Sequence, residues 1–417
     1  MRINYQSDVI FTTFIRVFGL VLKFIMMLSM GKYALESEVG RFAIIVTLVA
    51  YSSQVLGLEF HYYSIRQIQK GKFDQLVMIR DQVVFHIATY ILLLPVLYLV
   101  LYKFIGVVFI GILMAIIFFE QISQEMFRVV SALQHPVKAT ILLFIRTAPW
   151  MIFTVYVLYG ESDKGFLVEI MPYWLLSAFT SVILSIYFLK KEVGKFIFFQ
   201  KINICWIIEG IKSSIPFIMA SVSFGLFSVL DKIVLNQIIG EELLGVYYIL
   251  LSLAVGHYTI VTFSVGIYYG PRVLDAFYNK TEIEFSSIRN KGVRSIIKTS
   301  LLLIFPASIG IHIALFFIGK EVYYEYIWIY YLGLVVNMLW ILSDIINYDL
   351  FIHNQDKTIA WISISSVIIL LILLLILTPV LSVYGALLSS AITFMYLIYI
   401  RYKYATRSID DYKILDI

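Results

Sequence analysis

One cysteine, Cys205, in a chain of 417 residues excludes an internal disulfide framework and any metal site built from a cysteine cluster. It reads as a small apolar filler near a membrane surface. Charge is also scarce. Asp, Glu, Lys and Arg make up 14% of the residues, where soluble domains carry roughly a quarter. Apolar residues reach 61% and the mean hydropathy is +0.91. So little polar surface cannot wrap a water-soluble core of this size, and lipid is the expected solvent. Neither an H-E-x-x-H run nor a glycine-rich phosphate loop is present, so no metal or other cofactor and no ATP site is expected. His86, His257 and His312 stand singly in different apolar runs and read as packing groups.

What the chain has is long apolar runs, each near the roughly 20 residues needed to cross the hydrocarbon. The first six expected spans are Val9 to Met30, Phe42 to Phe60, Val83 to Leu101, Phe104 to Ile122, Ala139 to Tyr159 and Ile170 to Leu189. The next six are Ile215 to Ile239, Val246 to Tyr269, Ile296 to Ile318, Tyr326 to Ile346, Ile359 to Thr378 and Leu381 to Ile400, the last two parted by a turn at Pro379. Val9 to Met30 is longer than a secretory apolar segment and has no small-residue cleavage site after it, so it reads as a retained span. The expected fold class is therefore an all-α polytopic membrane protein of about 12 transmembrane helices.

Of the 32 lysines and arginines, 23 fall on the side that holds both termini, counting Lys298 at the very start of its span, 5 on the other and 4 deeper inside spans. By the positive-inside rule both termini face the cytoplasm. The net charge of +5 is thus a topology signal, and no nucleic-acid partner is needed to explain it. The longest loop expected, Gly270 to Ser295, leaves no room for a soluble catalytic domain.

The halves resemble each other at a shift of about 205 residues. Glu36-Ser-Glu-Val-Gly40-Arg-Phe lines up with Glu241-Glu-Leu-Leu-Gly245-Val-Tyr, and Tyr62-Tyr63-Ser-Ile-Arg66 with Tyr268-Tyr269-Gly-Pro-Arg272. Further on, at a shift grown to 224, Glu120-Gln-Ile-Ser-Gln-Glu125-Met-Phe127 meets Asp344-Ile-Ile-Asn-Tyr-Asp349-Leu-Phe351. Three matches in the same order point to duplication, with halves at 1–200 and 201–417 forming two related six-helix bundles around a central cavity. Six spans per half makes the repeats parallel, a transporter feature. Pro95 and Pro306 fall inside the third span of each half, as kinks or as hinges.

Ionisable groups in hydrocarbon cost about 2.5–3.5 kcal/mol each on insertion scales, so they mark protein-facing or watery surfaces. Thr12, Arg16, Gly19 and Lys23 form one stripe of the first span; Ser214, Ser221, Ser228 and Lys232 form the equivalent stripe of the seventh. Both stripes are expected to line a cavity; the rival for Arg16 and Lys23 is snorkelling from opposite span ends. Arg146, one turn before Trp150, reads as a cationic cavity group or as the partner of a buried acid. Asp231 beside Lys232 fits an ion pair, a coupling-ion carboxylate or a conformational latch. Glu120, Glu125, Asp344 and Asp349 read as solvated helix ends or partners for Arg128 and Lys357.

The whole chain resembles the Wzx-type polysaccharide and O-antigen repeat-unit flippases of the multidrug/oligosaccharidyl-lipid/polysaccharide exporter superfamily. The likeness rests on the span count, on Pro216 with Asp231-Lys-Ile-Val-Leu-Asn-Gln-Ile-Ile-Gly-Glu-Glu-Leu-Leu-Gly245-Val-Tyr, and on Glu36-Ser-Glu-Val-Gly40-Arg-Phe. It implies a protein of the bacterial inner membrane, not an enzyme. Such a protein moves undecaprenyl-diphosphate-linked oligosaccharide to the outer leaflet by alternating access driven by an ion gradient. Implied partners are the lipid-linked glycan, membrane lipid, a polysaccharide polymerase and chain-length proteins. A diphosphate needs cationic partners, and Arg16, Lys23, Arg146 and Lys232 are those available. Two rivals remain. A multidrug antiporter of the same superfamily would favour acidic and aromatic cavity groups. A membrane-embedded polymerase or ligase would carry a long outside catalytic loop. A peptidoglycan-precursor flippase usually has two additional spans.

Overall fold

The computed structural model describes residues 5–70, 75–105, 109–160, 165–193, 201–266, 269, 272–273, 275–277, 281–353 and 355–415. Arg2, Lys72, Lys164, Lys195, Lys280, Tyr268, Gly270 and Pro271, used above for orientation or for the repeat, lie outside them.

Among the described residues every regular element is helical, and twelve helices are long and apolar enough to cross a membrane. In the first half these are α1 (Tyr5–Tyr33), α2 (Glu36–Gly57), α4 (Gln75–Ile105), α5 (Ile110–Ala132), α6 (Pro136–Tyr159) and α7 (Phe166–Val193). Between α2 and α4 lies the short amphipathic α3 (His61–Lys70). The second half has α8 (Ile204–Ile239), α9 (Glu241–Val261), α10 (Glu282–Ile318), the single-turn α11 (Glu321–Glu325), α12 (Trp328–Ile352), α13 (Asp356–Leu381) and α14 (Val383–Leu415). The expected spans fall one to one on these twelve.

The helices are longer than hydropathy alone drew them. α10 runs for 37 residues, about 55 Å at 1.5 Å per residue and well beyond a 30 Å hydrocarbon layer. It begins where a loop to Ser295 was expected, because Thr281 and Glu284 form a reciprocal capping box. α5 was expected to end at Ile122 and continues to Ala132, since the charges that seemed to end it are paired inside the protein. The eighth span was drawn to Tyr269, but α9 gives way to a π-helical turn at Thr262–Gly266. The last turn is not at Pro379, which lies inside α13; the chain reverses at Ser382, a non-glycine residue with φ 55°.

Contacts divide the chain into two compact units. The first comprises Met1–Ala34 with Arg41–Gly225, the second Leu35–Gly40 with Leu226–Ile417. In the first, α6 packs on α7 and α1, and α5 on α7, α6 and α4. Ser123 Oγ donates to Ser181 Oγ (2.7 Å), which donates to the Leu142 carbonyl (3.1 Å), tying α5, α7 and α6 by small polar groups. The start of α8 completes this unit: Trp206 is buried, with its ring 5.2 Å from that of Phe60 and 5.6 Å from that of Tyr63.

In the second unit α12 and α13 pack on α14, and α9 lies against α12 and α10. Asn337 of α12 donates to the Ala254 carbonyl of α9 at 2.9 Å. The segment Leu35–Gly40 belongs here through two glycines. A Cβ on Gly40 would fall on the carbonyl oxygen of Glu241, and a Cβ on Gly245 on that of Glu36. These are the positions that the internal repeat aligns, so the contact is reciprocal and only glycine permits it at either end. Lys320 closes over it, 2.9 Å from Glu36 Oε1.

Candidate functional site

A cavity of about 480 Å³ opens inside the first unit between α2, α5, α6 and α7. Helical spacing builds its walls. Glu120, Gln124 and Arg128 follow one another at four-residue steps along one face of α5, and Arg146 and Trp150 do so on α6. Trp174 of α7 and Gln54 of α2 close it. Trp150 and Trp174 stack with ring centres 4.9 Å apart.

Glu120 is the centre of this arrangement. Its Oε1 accepts from Trp174 Nε1 at 2.7 Å, and its Oε2 lies 3.5 Å from Arg146 Nε. The latter is a charge contact without hydrogen-bond geometry, for Nε and Nη1 of Arg146 are buried with no acceptor among the described residues. The same is true of Trp150 Nε1. Of the two readings open for Arg146, the geometry contains elements of both: it lines a cavity and it faces a buried acid.

Next to the cavity a second set of polar groups gathers around Glu125. Glu125, 1% exposed, takes Arg128 Nη1 at 2.6 Å on Oε1 and Gln82 Nε2 at 3.0 Å on Oε2, with His86 Nε2 3.5 Å away. Arg128 Nη1 also reaches His61 Nδ1 at 3.0 Å. A guanidinium only donates, so Nδ1 is the accepting nitrogen and His61 is neutral. Burial, reinforced by Arg128, lowers the His61 pKa to about 4. Glu59 lies 3.4 Å from the same nitrogen, delivered by a turn in which Leu58 and Glu59 both have positive φ, 45° and 47°. Two successive side-chain-bearing residues in that region cost about 1–3 kcal/mol each. The strain places the Glu59 carboxyl beside His61 and lets Ser214 Oγ donate to the Glu59 carbonyl at 3.4 Å.

The second unit holds a smaller cavity of about 280 Å³ between α9, α10 and α12. Its walls are mostly valine, isoleucine and tyrosine, with the acids engaged at the edge. Asp349 receives Arg289 through two hydrogen bonds, Nε–Oδ1 at 2.7 Å and Nη2–Oδ2. Asp344 accepts from Tyr258 at 2.8 Å and lies 3.9 Å from Arg401, which also donates to the Ser343 carbonyl and hydroxyl.

The remaining residues singled out by sequence lie elsewhere. Arg16 and Lys23 are on the exposed face of α1, with no acidic partner among the described residues; Thr12 is half-buried and donates to the Asp8 carbonyl. Asp231 and Lys232 pair with each other at 3.1 Å, and Tyr247 donates to Asp231 at 3.0 Å. The Lys232 ammonium also donates to the Ser228 carbonyl. Ser221 belongs to the first unit, where its carbonyl accepts from Gln54, and Ser228 to the second. Of the two readings of the acids, partner rather than solvated end holds for Glu125, which is buried and pairs with Arg128 as expected; Asp349 is buried too but pairs with Arg289 rather than Lys357. The signal was present as Glu120-x3-Gln124-x3-Arg128, a polar stripe at helical spacing in an apolar run.

No family model and no curated protein sequence matches this chain. Solved structures do. A multidrug resistance MATE family transporter of the MOP superfamily, in an inward-facing conformation, superposes with a TM-score of 0.66 at 10% identity, over 94% of this chain and 96% of that one. The lipid II flippase MurJ, in an inward closed conformation, gives 0.66 at 13% identity over 94% of this chain and 86% of that one. An outward-facing MATE transporter gives 0.59 at 12% identity, covering 99% and 97%. The chain has the MATE/MurJ transporter fold. At these identities the likeness establishes the fold alone.

Proposed function

We propose that this protein is a flippase that carries undecaprenyl-diphosphate-linked oligosaccharide repeat units from the cytoplasmic to the outer leaflet by alternating access, coupled to an ion gradient. It would sit in the bacterial inner membrane with both termini cytoplasmic and halves at 1–200 and 201–417. The reading is supported by one observation above all. Arg16 and Lys23 stand exposed on an otherwise apolar spanning helix with no acid beside them, a costly placement unless it serves an anion. A diphosphate is such an anion, and its polyprenyl tail is content in lipid. Thr12, Arg146, Lys232, Ser221 and Ser228 are assigned to the same polar route, and Asp231 to coupling or latching. A polymerase and chain-length proteins would act on the delivered glycan.

The test is deletion of the gene in its host with leaflet-resolved analysis of lipid-linked oligosaccharide, complemented by the triple variant Arg16→Gln, Lys23→Gln, Arg146→Gln. Cytoplasmic accumulation of complete diphosphate-linked units, not rescued by the triple variant, is the expected result. Unchanged surface glycan would reject it. A second reading, a multidrug antiporter, is favoured by Glu120 beside two tryptophans in the first cavity, a pairing suited to organic cations. It predicts altered sensitivity to cationic drugs with normal surface glycan.

A further inference from the structure

We propose that the cavity of the first unit is a saccharide subsite, recognising a neutral sugar ring through Arg146, Trp150 and Glu120. This rests on the flippase reading and refines it: within that polar route Arg146 serves a sugar of the substrate, and the diphosphate is left to Arg16, Lys23 and Lys232.

Charge balance decides against the diphosphate itself. Arg128 is neutralised by Glu125 at 2.6 Å, and Arg146 faces Glu120 at 3.5 Å. The lining therefore carries no net cation, and a diphosphate placed there would meet the Glu120 carboxylate. The unused groups say what does fit. Arg146 Nε and Nη1 and Trp150 Nε1 are buried donors with no acceptor among the described residues, and Trp150 is 6% exposed. Leaving such donors unmet is costly, so the cavity is built for a ligand that supplies oxygen acceptors. Glu120, anchored by Trp174, offers acceptor oxygens for ligand hydroxyls, and the Gln124 amide on the same helix face can both donate and accept. A sugar ring is the ligand that presents hydroxyl donors, oxygen acceptors and no net charge in one compact body. The volume of about 480 Å³ lies within the roughly 300–1,000 Å³ typical of small-molecule sites.

The experiment uses the full-length protein in lipid nanodiscs and reads intrinsic tryptophan fluorescence. Probes are the methyl glycosides of neutral hexoses and N-acetylhexosamines, inorganic pyrophosphate, and tetraphenylphosphonium. Trp150→Phe keeps an aromatic ring against Trp174, which remains as the reporter, and removes the indole N–H with the pyrrole part of the ring; Arg146→Gln removes the fork. Saturable binding of at least one glycoside is expected, weakened about tenfold or more by either variant, with neither pyrophosphate nor tetraphenylphosphonium competing. Thermal stability of Trp150→Phe within error of the parent shows that the loss is not unfolding. Saturation or competition by pyrophosphate would make this an oxyanion site, and by tetraphenylphosphonium a drug site; either overturns the proposal, as does binding of no glycoside. Glycoside binding in a protein whose deletion leaves surface glycan intact keeps the subsite and rejects only the flippase reading.

Discussion

The fourth helix of each half carries two acids at the same repeat positions, and the two halves use them differently. The second acid is held from the third helix in both: Glu125 by Gln82 and His86, Asp349 by Arg289. The first is held from the sixth: Glu120 by Trp174, Asp344 by Arg401. The scaffold is therefore shared, and what differs is how fully it is used. In the second unit the acid edge is closed by the two-point Arg289–Asp349 pair, leaving a small, mostly apolar cavity. In the first, Arg146 lies beside Glu120 without bonding it, and the cavity is larger and polar. The second acid is thus closed in both units, by Arg128 on Glu125 and by Arg289 on Asp349, and it is around the first acid, Glu120, that the first unit keeps an open polar cavity.

The strongest challenge to this contrast is removal of the two second acids. Glu125→Ala takes the carboxylate away from Arg128 and from the buried Gln82, and is expected to cost about 3–5 kcal/mol. Asp349→Ala releases an arginine that is about a third exposed, and its cost is expected near 1.5–3 kcal/mol. Thermal unfolding of both variants in the same detergent makes the comparison, and equal losses would break it. Next come the glycines. Gly40→Ala and Gly245→Ala each force a methyl group onto a backbone carbonyl, with an expected cost of about 1–3 kcal/mol apiece. Because the contact is reciprocal the two losses should match, and the double variant should lose less than their sum, since one separation of the helix ends relieves both. Full additivity would show that the two contacts are independent.

The smallest effect concerns pH and the first unit. His61 has a folded pKa of about 4 against an ordinary 6.5, so the unfolded chain takes up its proton first as pH falls. Its contribution to stability is complete above about 6.5 and is lost progressively down to about 4. His61→Asn is expected to flatten the fall in melting temperature over that window relative to the parent. A parallel fall in parent and variant would remove His61 from the account.

Much of this molecule was legible in its sequence, and the legible part follows the physics of lipid. Twelve spans and the repeat could be read because hydrocarbon demands long apolar runs and because Gly40 and Gly245 are irreplaceable at a backbone crossing. Helix ends were read less well: Thr281 and Glu284 formed a visible capping box inside what looked like a loop. The candidate site was half-seen. Arg146 was found as a lone charge in an apolar run. For Glu120 and Glu125 the sequence left solvated ends and buried partners both open, because a charge close to a span end looks the same whether water or another helix receives it. Only the packing of α4, α6 and α7 against α5 distinguishes the two.

α8 has a consequence for biosynthesis. Its stretch from Ile204 to Gly225, with the buried Trp206, belongs to the first unit, and only Leu226 to Ile239 belongs to the second. The opening residues of α2 in turn wait for Glu241 and Gly245. On the ribosome, the first bundle therefore stays unfinished when its own six spans have emerged, and it closes only as the second begins. The two units are thus bound into one order of assembly, and a cut at residue 200 would part the first from Ile204 to Gly225 and the second from Leu35 to Gly40.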